Sequence, residues 1–360
     1  MRNHEVTVPQ ALLNSRDELA EPGWARQQIF RYDRAQIQAP KWRIKEWDYY
    51  LVLHDGKPAG ESSYAAAFTL SDDGYVGLQS VSFLCLDEGS AWEHTSTVLN
   101  VFPMGKKPFP TSSRSGDIAF QNRDLQMQFL KRPGTRQILS SYGPFWKEKG
   151  QSLKADITLN EPEDEDTMVI ATPWDKRHHF YYNQKINCMP ASGSVSVGGQ
   201  TYSFSPSTDY GTLDWGRGVW TYDNTWYWGS GNATVDGHRF GFNIGYGFGN
   251  TKAATENIVF VDGRCCKLDD VTIEIPGDRD LYDMDSPRYM EIWKIHESKG
   301  RFEMEFRPIL DRAAKLDFKA IVSDQHQVFG RMSGVVRLDT GETLQVRDLL
   351  CFIEKVHNRY

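Results

Sequence analysis

Asp214 and Arg217 stand inside the segment YGTLDWGRGVWTYDNTWYW, where four tryptophans and three tyrosines crowd into nineteen residues. Tryptophan is the largest apolar side chain and also carries an N–H donor, so such density needs a deep core or a bound ligand. The spacing predicts that Asp214 meets Arg217 across a tight turn closed by Gly216 and Gly218. A buried carboxylate needs a partner, and the planar guanidinium fork suits it. Two readings follow. The pair is either a structural lock at a barrel mouth, or the fixed polar anchor of a ligand cavity. In the second reading Asp214 and Arg217 carry the chemistry and Trp215, Trp220, Trp226 and Trp228 form the walls. A carboxylate among rings, with no cation close by, has a raised pKa and can transfer protons, while ring faces favour a cationic transition state.

Further polar residues sit among rings. Tyr182 and Lys185 lie in HHFYYNQKINCMP, and Lys185 either snorkels to solvent or turns inward to Asp209 or Asp214. Glu256-Asn257 precedes the apolar run Ile258 to Val261, so one member of the pair must face inward. Asp48 stands between Trp47 and Tyr49. No metal site is expected, because His178 and His179 would point to opposite faces of a strand and no other ligand spacing exists. GYGFGN lacks the dinucleotide fingerprint and no GxSxG elbow occurs, so no cofactor is expected.

The elements that carry these residues read as strands. Phe240, Phe242, Ile244, Tyr246 and Phe248 alternate with Gly241, Asn243, Gly245, Gly247 and Gly249, which predicts a strand with one greasy face. The glycine face should meet a crossing strand or a ligand closely. Residues 226–235 and 239–249 should form a hairpin turned at Asp236-Gly237. Phe302, Met304 and Phe306 share a face, as do Leu344, Val346, Leu350 and Phe352, with Asp348 interrupting. Helix candidates are few: 25–29, 10–13 and 308–314. The segment 102–115, rich in Pro, Gly and basic residues, reads as an exposed loop and a possible lid. A faint repeat pairs Trp42/Trp47 and the strands after them with Trp220/Trp226 and theirs.

Composition narrows the function classes. The net charge of −7 without a basic block argues against nucleic acid as a partner. No apolar run is long enough for a transmembrane helix, and the first residues lack a signal-peptide pattern. Five cysteines without metal or disulfide spacing fit reduced thiols, so a cytoplasmic location is expected.

Three blocks resemble the family called domain of unknown function 2804: YYNQKINCMPASGSVSVGGQTYSFSP, DYGTLDWGRGVWTYDNTWYWGSG and GYGFGNTKAATENIVFVDGRCCKLDDV. PGWARQQI, KWRIKEWDYY and QVFGRMSGVVRLDTGETLQVRDLLCFIEK extend the resemblance over almost the whole chain. The sequence departs from the family pattern at Thr221-Tyr222-Asp223-Asn224, where Pro and basic residues are expected. The family is distantly similar to the tandem lipocalin-like group of carotenoid hydratases, tocopherol cyclase and fungal Diels–Alder cyclases. The resemblance implies an all-β chain of two consecutive lipocalin-like (calycin) antiparallel barrels with a ligand cavity between or within them. The expected division is an extension over 1–40 packing on the barrels, a first barrel over 41–200 and a second over 201–360. Three functions compete. An enzyme hydrating, isomerising or cyclising a hydrophobic small molecule comes first with a lipophilic carrier, and a carbohydrate-binding or carbohydrate-active protein follows.

Overall fold

A computed structural model describes residues 2–317 and 321–359. Among these, helix is confined to four single turns of 3-10 helix, and the rest of the regular structure is strand. The fold is two consecutive lipocalin-like antiparallel barrels. In the first, the backbone order is 92–101, 76–85, 64–72, Ile44–His54, Tyr210–Val219, Phe180–Val197, 151–160, 135–146, 125–132 and 118–121. In the second it is 264–267, 258–261, His238–Tyr246, Asp223–Val235, Thr343–Arg359, Val322–Arg337, Phe302–Asp317, 293–297 and 271–274. Among the described residues, no helix is long and apolar enough to cross a membrane.

The predicted hairpin forms, with strands Asp223–Val235 and His238–Tyr246 and a turn at Asp236 (φ 50°) and Gly237 (φ 88°). Two positive φ values match the right-handed strand twist, which is why Asp-Gly serves there. Phe240, Phe242 and Ile244 are fully buried in the second barrel's core. Each contributes about 1.5–3 kcal/mol relative to exposure. Their glycine face looks the other way: a Cβ on Gly241 would collide with Cys188 Sγ, and one on Gly245 with Glu256. Phe248 leaves the pattern, because the strand ends at Tyr246 and Gly247 (φ 96°) turns the chain towards the seam between the barrels.

That seam has its own apolar layer, distinct from both barrel cores, with Tyr49, Leu51, Trp228, Leu350 and Phe352 in it. Two bulges build it. At Asn187-Cys188 (Cys188 φ 58°) the ladder against 210–219 shifts, and Asn187 Nδ2 reaches Ser230 Oγ at 2.8 Å in the second barrel. At Asp348 (φ 55°) the last strand changes parity. Leu344 and Val346 therefore point into the second core, whereas Leu350 and Phe352 point into the seam. The single shared face read for these four residues is thus corrected: an extra bulge residue flips every side chain after it.

The helix candidates also give way. Segment 308–314 lies within the sixteen-residue strand Phe302–Asp317, whose pairing with 322–337 overrides a local Ala-rich preference. Ala25 ends a strand paired with 168–173, and 10–11 pairs with 30–31. Strands 200–204 and 210–219 belong to the first sheet, so the division expected at 200/201 falls inside it and the chain crosses over at 220–222. Residues 2–40 place Leu12, Phe30, Tyr32 and Ile37 in the first core and tie His4 N–H to the Ala253 carbonyl at 2.8 Å.

The expected tight turn at Gly216 and Gly218 is absent. Both lie in the continuous strand 210–219, and Gly216 pairs with Trp47 on the neighbouring strand. A Cβ at Gly216 would enter the Trp47 indole ring. Gly216→Ala is therefore expected to cost about 1–3 kcal/mol by overpacking. Urea unfolding measures this, and an unchanged midpoint would contradict the contact.

Candidate active site between the barrels

A cavity of about 450 Å³ opens between the barrels, within the range of small-molecule sites. One end is aromatic. Trp47, Tyr181, Trp220, Trp226, Trp228 and Phe248 line it, with Trp47 and Trp220 at 5.5 Å edge to face and Tyr181 stacked on Phe248 at 4.9 Å. The other end is hydroxylated, with Thr69, Ser71, Ser80, Thr95 and Thr97 from the first barrel facing Ser323 and Gln325 from the second. Strand alternation explains both walls: Trp47 and Tyr49 share the outward face of the 44–54 strand, while Tyr50 and Val52 fill the barrel behind them.

Two carboxyl groups with different surroundings enter this cavity. Asp214 Oδ1 accepts from Lys185 Nζ at 2.9 Å and from Asn183 Nδ2 at 2.6 Å. Lys185 also lies 3.8 Å from the centre of a Trp228 ring, so the cation is held between a carboxylate and a π face. Glu354 accepts from Trp226 Nε1 at 3.0 Å through Oε1 and from Gln327 Nε2 at 3.0 Å through Oε2. Burial pushes its pKa up to about 7, against the hydrogen bond from Trp226 and the pull of Lys185. Behind Tyr181, Glu256 accepts from the phenol at 3.2 Å, and burial raises that carboxyl too. Tyr49 is pushed up to about 12 by burial and remains a neutral hydroxyl on the wall. The arrangement therefore offers a carboxyl that titrates near neutral pH and, across the same space, a carboxylate paired with lysine. Carboxyl groups whose environments differ in this way divide acid and base roles.

The family pattern described as domain of unknown function (DUF2804) matches residues 3–360. The chain belongs to the DUF2804 family. Its fold is similar to kievitone hydratase from Nectria haematococca, at 10% identity over 98% of each chain with a TM-score of 0.53. CghA aligns over 97% of this chain and 96% of its own at 8% identity and a TM-score of 0.42, and CghA with Sch210972 at 9% identity, the same coverage and 0.41. Identities this low speak for architecture alone. No curated protein matches the sequence.

This DUF2804 protein separates the residues that sequence reasoning had grouped. Asp214, Lys185, Trp220, Trp226 and Trp228 line the inter-barrel cavity. Arg217 does not join them. Three positions from Asp214 on a strand, it points to the opposite face, into the first barrel, where Nη1 meets Asp48 Oδ1 at 3.0 Å. The expected Asp214–Arg217 pair is therefore replaced by two pairs, Asp214–Lys185 and Arg217–Asp48. Trp215 and Tyr182 also belong to the first core, 5.4 Å apart edge to face, and the Arg217 guanidinium lies 3.9 Å from Trp215. Asp48 goes with them, and burial raises its carboxyl even beside Arg217. Glu256 stands one layer behind the cavity. Asn257 is structural: its Oδ1 takes Gly245 N–H at 2.7 Å and its Nδ2 donates to the Asp269 carbonyl at 2.8 Å.

The loop 102–115 closes on the first barrel, with the Pro110 carbonyl on Arg217 Nη2 at 3.1 Å and the Ser113 carbonyl on Arg136 at 2.7 Å. It does not line the inter-barrel cavity. Glu354, Trp47, Tyr49, Tyr181 and Arg312 were missed. Only Trp47, which opens the strand paired with 210–219, carried a sequence signal, as part of the faint repeat.

Proposed function

We propose that this DUF2804 protein binds a hydrophobic, unsaturated small molecule between its barrels and catalyses proton-transfer chemistry on it, namely hydration, isomerisation or cyclisation. The observation that carries the reading is the juxtaposition of the near-neutral Glu354 carboxyl and the Lys185-paired Asp214 in a cavity walled by tryptophan. Glu354 supplies a proton to a double bond or carbonyl of the ligand. The positive charge that develops is stabilised by the faces of Trp226 and Trp228. Asp214 then accepts a proton from the ligand or from an attacking water, with the Lys185 ammonium beside it at 2.9 Å. Resemblance in fold to a hydratase supports the reading without specifying the reaction.

Native mass spectrometry of the protein isolated from its own host is expected to reveal a co-purifying lipophilic compound. Incubated with the protein in D₂O, that compound is expected to gain deuterium on carbon. A bound compound that gains no deuterium and undergoes no other change of mass or structure marks a carrier, and the enzymatic reading fails.

A further inference from the structure

The polar end of the cavity contains a cation with an unusual set of partners. Four cationic side chains line the cavity: Lys45, Lys185, Arg312 and Lys315. Lys185 sits on Asp214 at 2.9 Å and Lys315 on Asp324 at 2.7 Å. Lys45 feels the attraction of Asp73. Arg312 differs, because all its hydrogen bonds go to neutral acceptors. Nε donates to Thr95 Oγ1 at 3.2 Å, Nη1 to Gln327 Oε1 at 2.7 Å and Nη2 to Ser82 Oγ at 2.8 Å. Among the described residues it forms no ion pair. The carboxylate next along this network, Glu93, takes the Thr95 hydroxyl at 2.9 Å instead of the guanidinium.

Guanidinium carries five N–H donors, and three are used here. One N–H remains on each terminal nitrogen, and a carboxylate with two oxygens suits a guanidinium that still has two donors to offer. The three neutral partners fix the plane of the group without cancelling its charge. Gln327 also joins this end to the proton donor, since its Nε2 holds Glu354 Oε2 while its Oε1 holds Arg312.

We propose that Arg312 anchors an acidic head group, so that the ligand is an amphipathic carboxylic acid whose unsaturated body lies among Trp47, Trp226 and Trp228. The inference rests on the cavity being the ligand site and adds the chemical class of that ligand. The carboxylate accepts from the remaining N–H groups of Arg312, and the Thr and Ser hydroxyls beside it serve further oxygens. The reacting double bond is thereby held at a set distance from Glu354.

The test uses a fluorescent polyene acid, cis-parinaric acid, and its methyl ester, titrated into the full-length protein at mildly alkaline pH. The wild type is expected to bind the acid about tenfold or more tightly than the ester, the usual worth of a charge-assisted bidentate contact. Arg312→Gln should bring the acid to the affinity of the ester and leave the ester unchanged, while Arg312→Lys keeps part of the preference. Arg312 also ties the second barrel to Ser82 and Thr95 of the first, so thermal unfolding of each variant is recorded. Equal losses for acid and ester alongside a lowered Tm make the residue a tie between barrels and overturn the anchor. Wild type binding the two probes equally overturns the anchor while leaving the cavity as the ligand site. Failure of both probes to bind removes the ligand site itself, and the proposed function falls with it.

Discussion

Glu354→Gln is expected to change the pH dependence of stability by about 3 kcal/mol and to slow proton transfer to the ligand by roughly 10²–10⁴-fold. The carboxyl titrates at about 4.5 in the unfolded chain and about 7 in the folded one, with burial as the cause. A raised folded value means that the folded protein holds this proton more tightly. Its stabilising contribution is therefore complete below about 4.5 and is lost as pH rises through about 7. Glutamine keeps the size and never ionises, but its single oxygen retains only one of the two contacts, from Trp226 Nε1 or from Gln327 Nε2. Above neutral pH the variant should therefore gain on the wild type relative to acid pH, where the difference between the two becomes constant. Guanidinium unfolding of both proteins across this range gives the difference curve, in which the other titrating groups cancel. A flat difference curve would show that Glu354 is not a buried neutral acid. The kinetic half is read as deuterium gained by the bound compound, and an unchanged rate removes Glu354 from the reaction.

Arg217→Met should cost about 3–5 kcal/mol of folding free energy, the range for removing one partner of a buried ion pair. Arg217 is fully buried in the first barrel, 3.0 Å from Asp48 and 3.8 Å from Glu46, under the faces of Trp215 and Phe109. Tyr32 donates to Glu46 at 2.8 Å and Arg34 pairs with it from the rim. Methionine fills similar volume and leaves Asp48 buried without its hydrogen-bonded cation, with only the attraction of Arg136 remaining. The double variant Arg217→Met with Asp48→Asn should recover part of the loss, because the stranded charge goes too. Denaturant unfolding measures both. A single-variant loss below about 1 kcal/mol would mean that the pair is solvated and no lock. If the variant folds, it should bind the cavity ligand as the wild type does, since Arg217 and Asp214 occupy opposite faces of one strand.

Much of this architecture was legible in the chain because it rests on local rules. The strand Phe240–Ile244 announces itself by period two, and Asp236-Gly237 can hardly be anything but a hairpin turn where two consecutive positive φ values are needed. The glycine face opposite those rings correctly forecast a close approach, now seen as Cys188 and Glu256 against Gly241 and Gly245. The density of tryptophan in 215–228 pointed to the right region for a cavity, and Asp214, Lys185, Trp220, Trp226 and Trp228 do line it.

Which of two alternating faces belongs to a core and which to the seam was not legible. Alternation reveals a face only when the other side is wet. Strands 44–54, 180–197 and 210–219 are covered on both sides by a barrel core and by the second barrel, so Tyr181 and Tyr182, or Asp214 and Arg217, look alike in sequence although they point apart. Bulges hide the rest. Asp348 reverses parity and so delivers Glu354 to the cavity instead of the second core, while Arg312 lies just before Ala313-Ala314 in a stretch that mimics a helix until the 322–337 strand pairs with it. Composition and periodicity determined that this chain is all-β and rich in aromatic side chains. The partner of each charge was left to the contact between the two barrels, because an ion pair depends on side-chain direction in space and sequence spacing along a strand does not carry it.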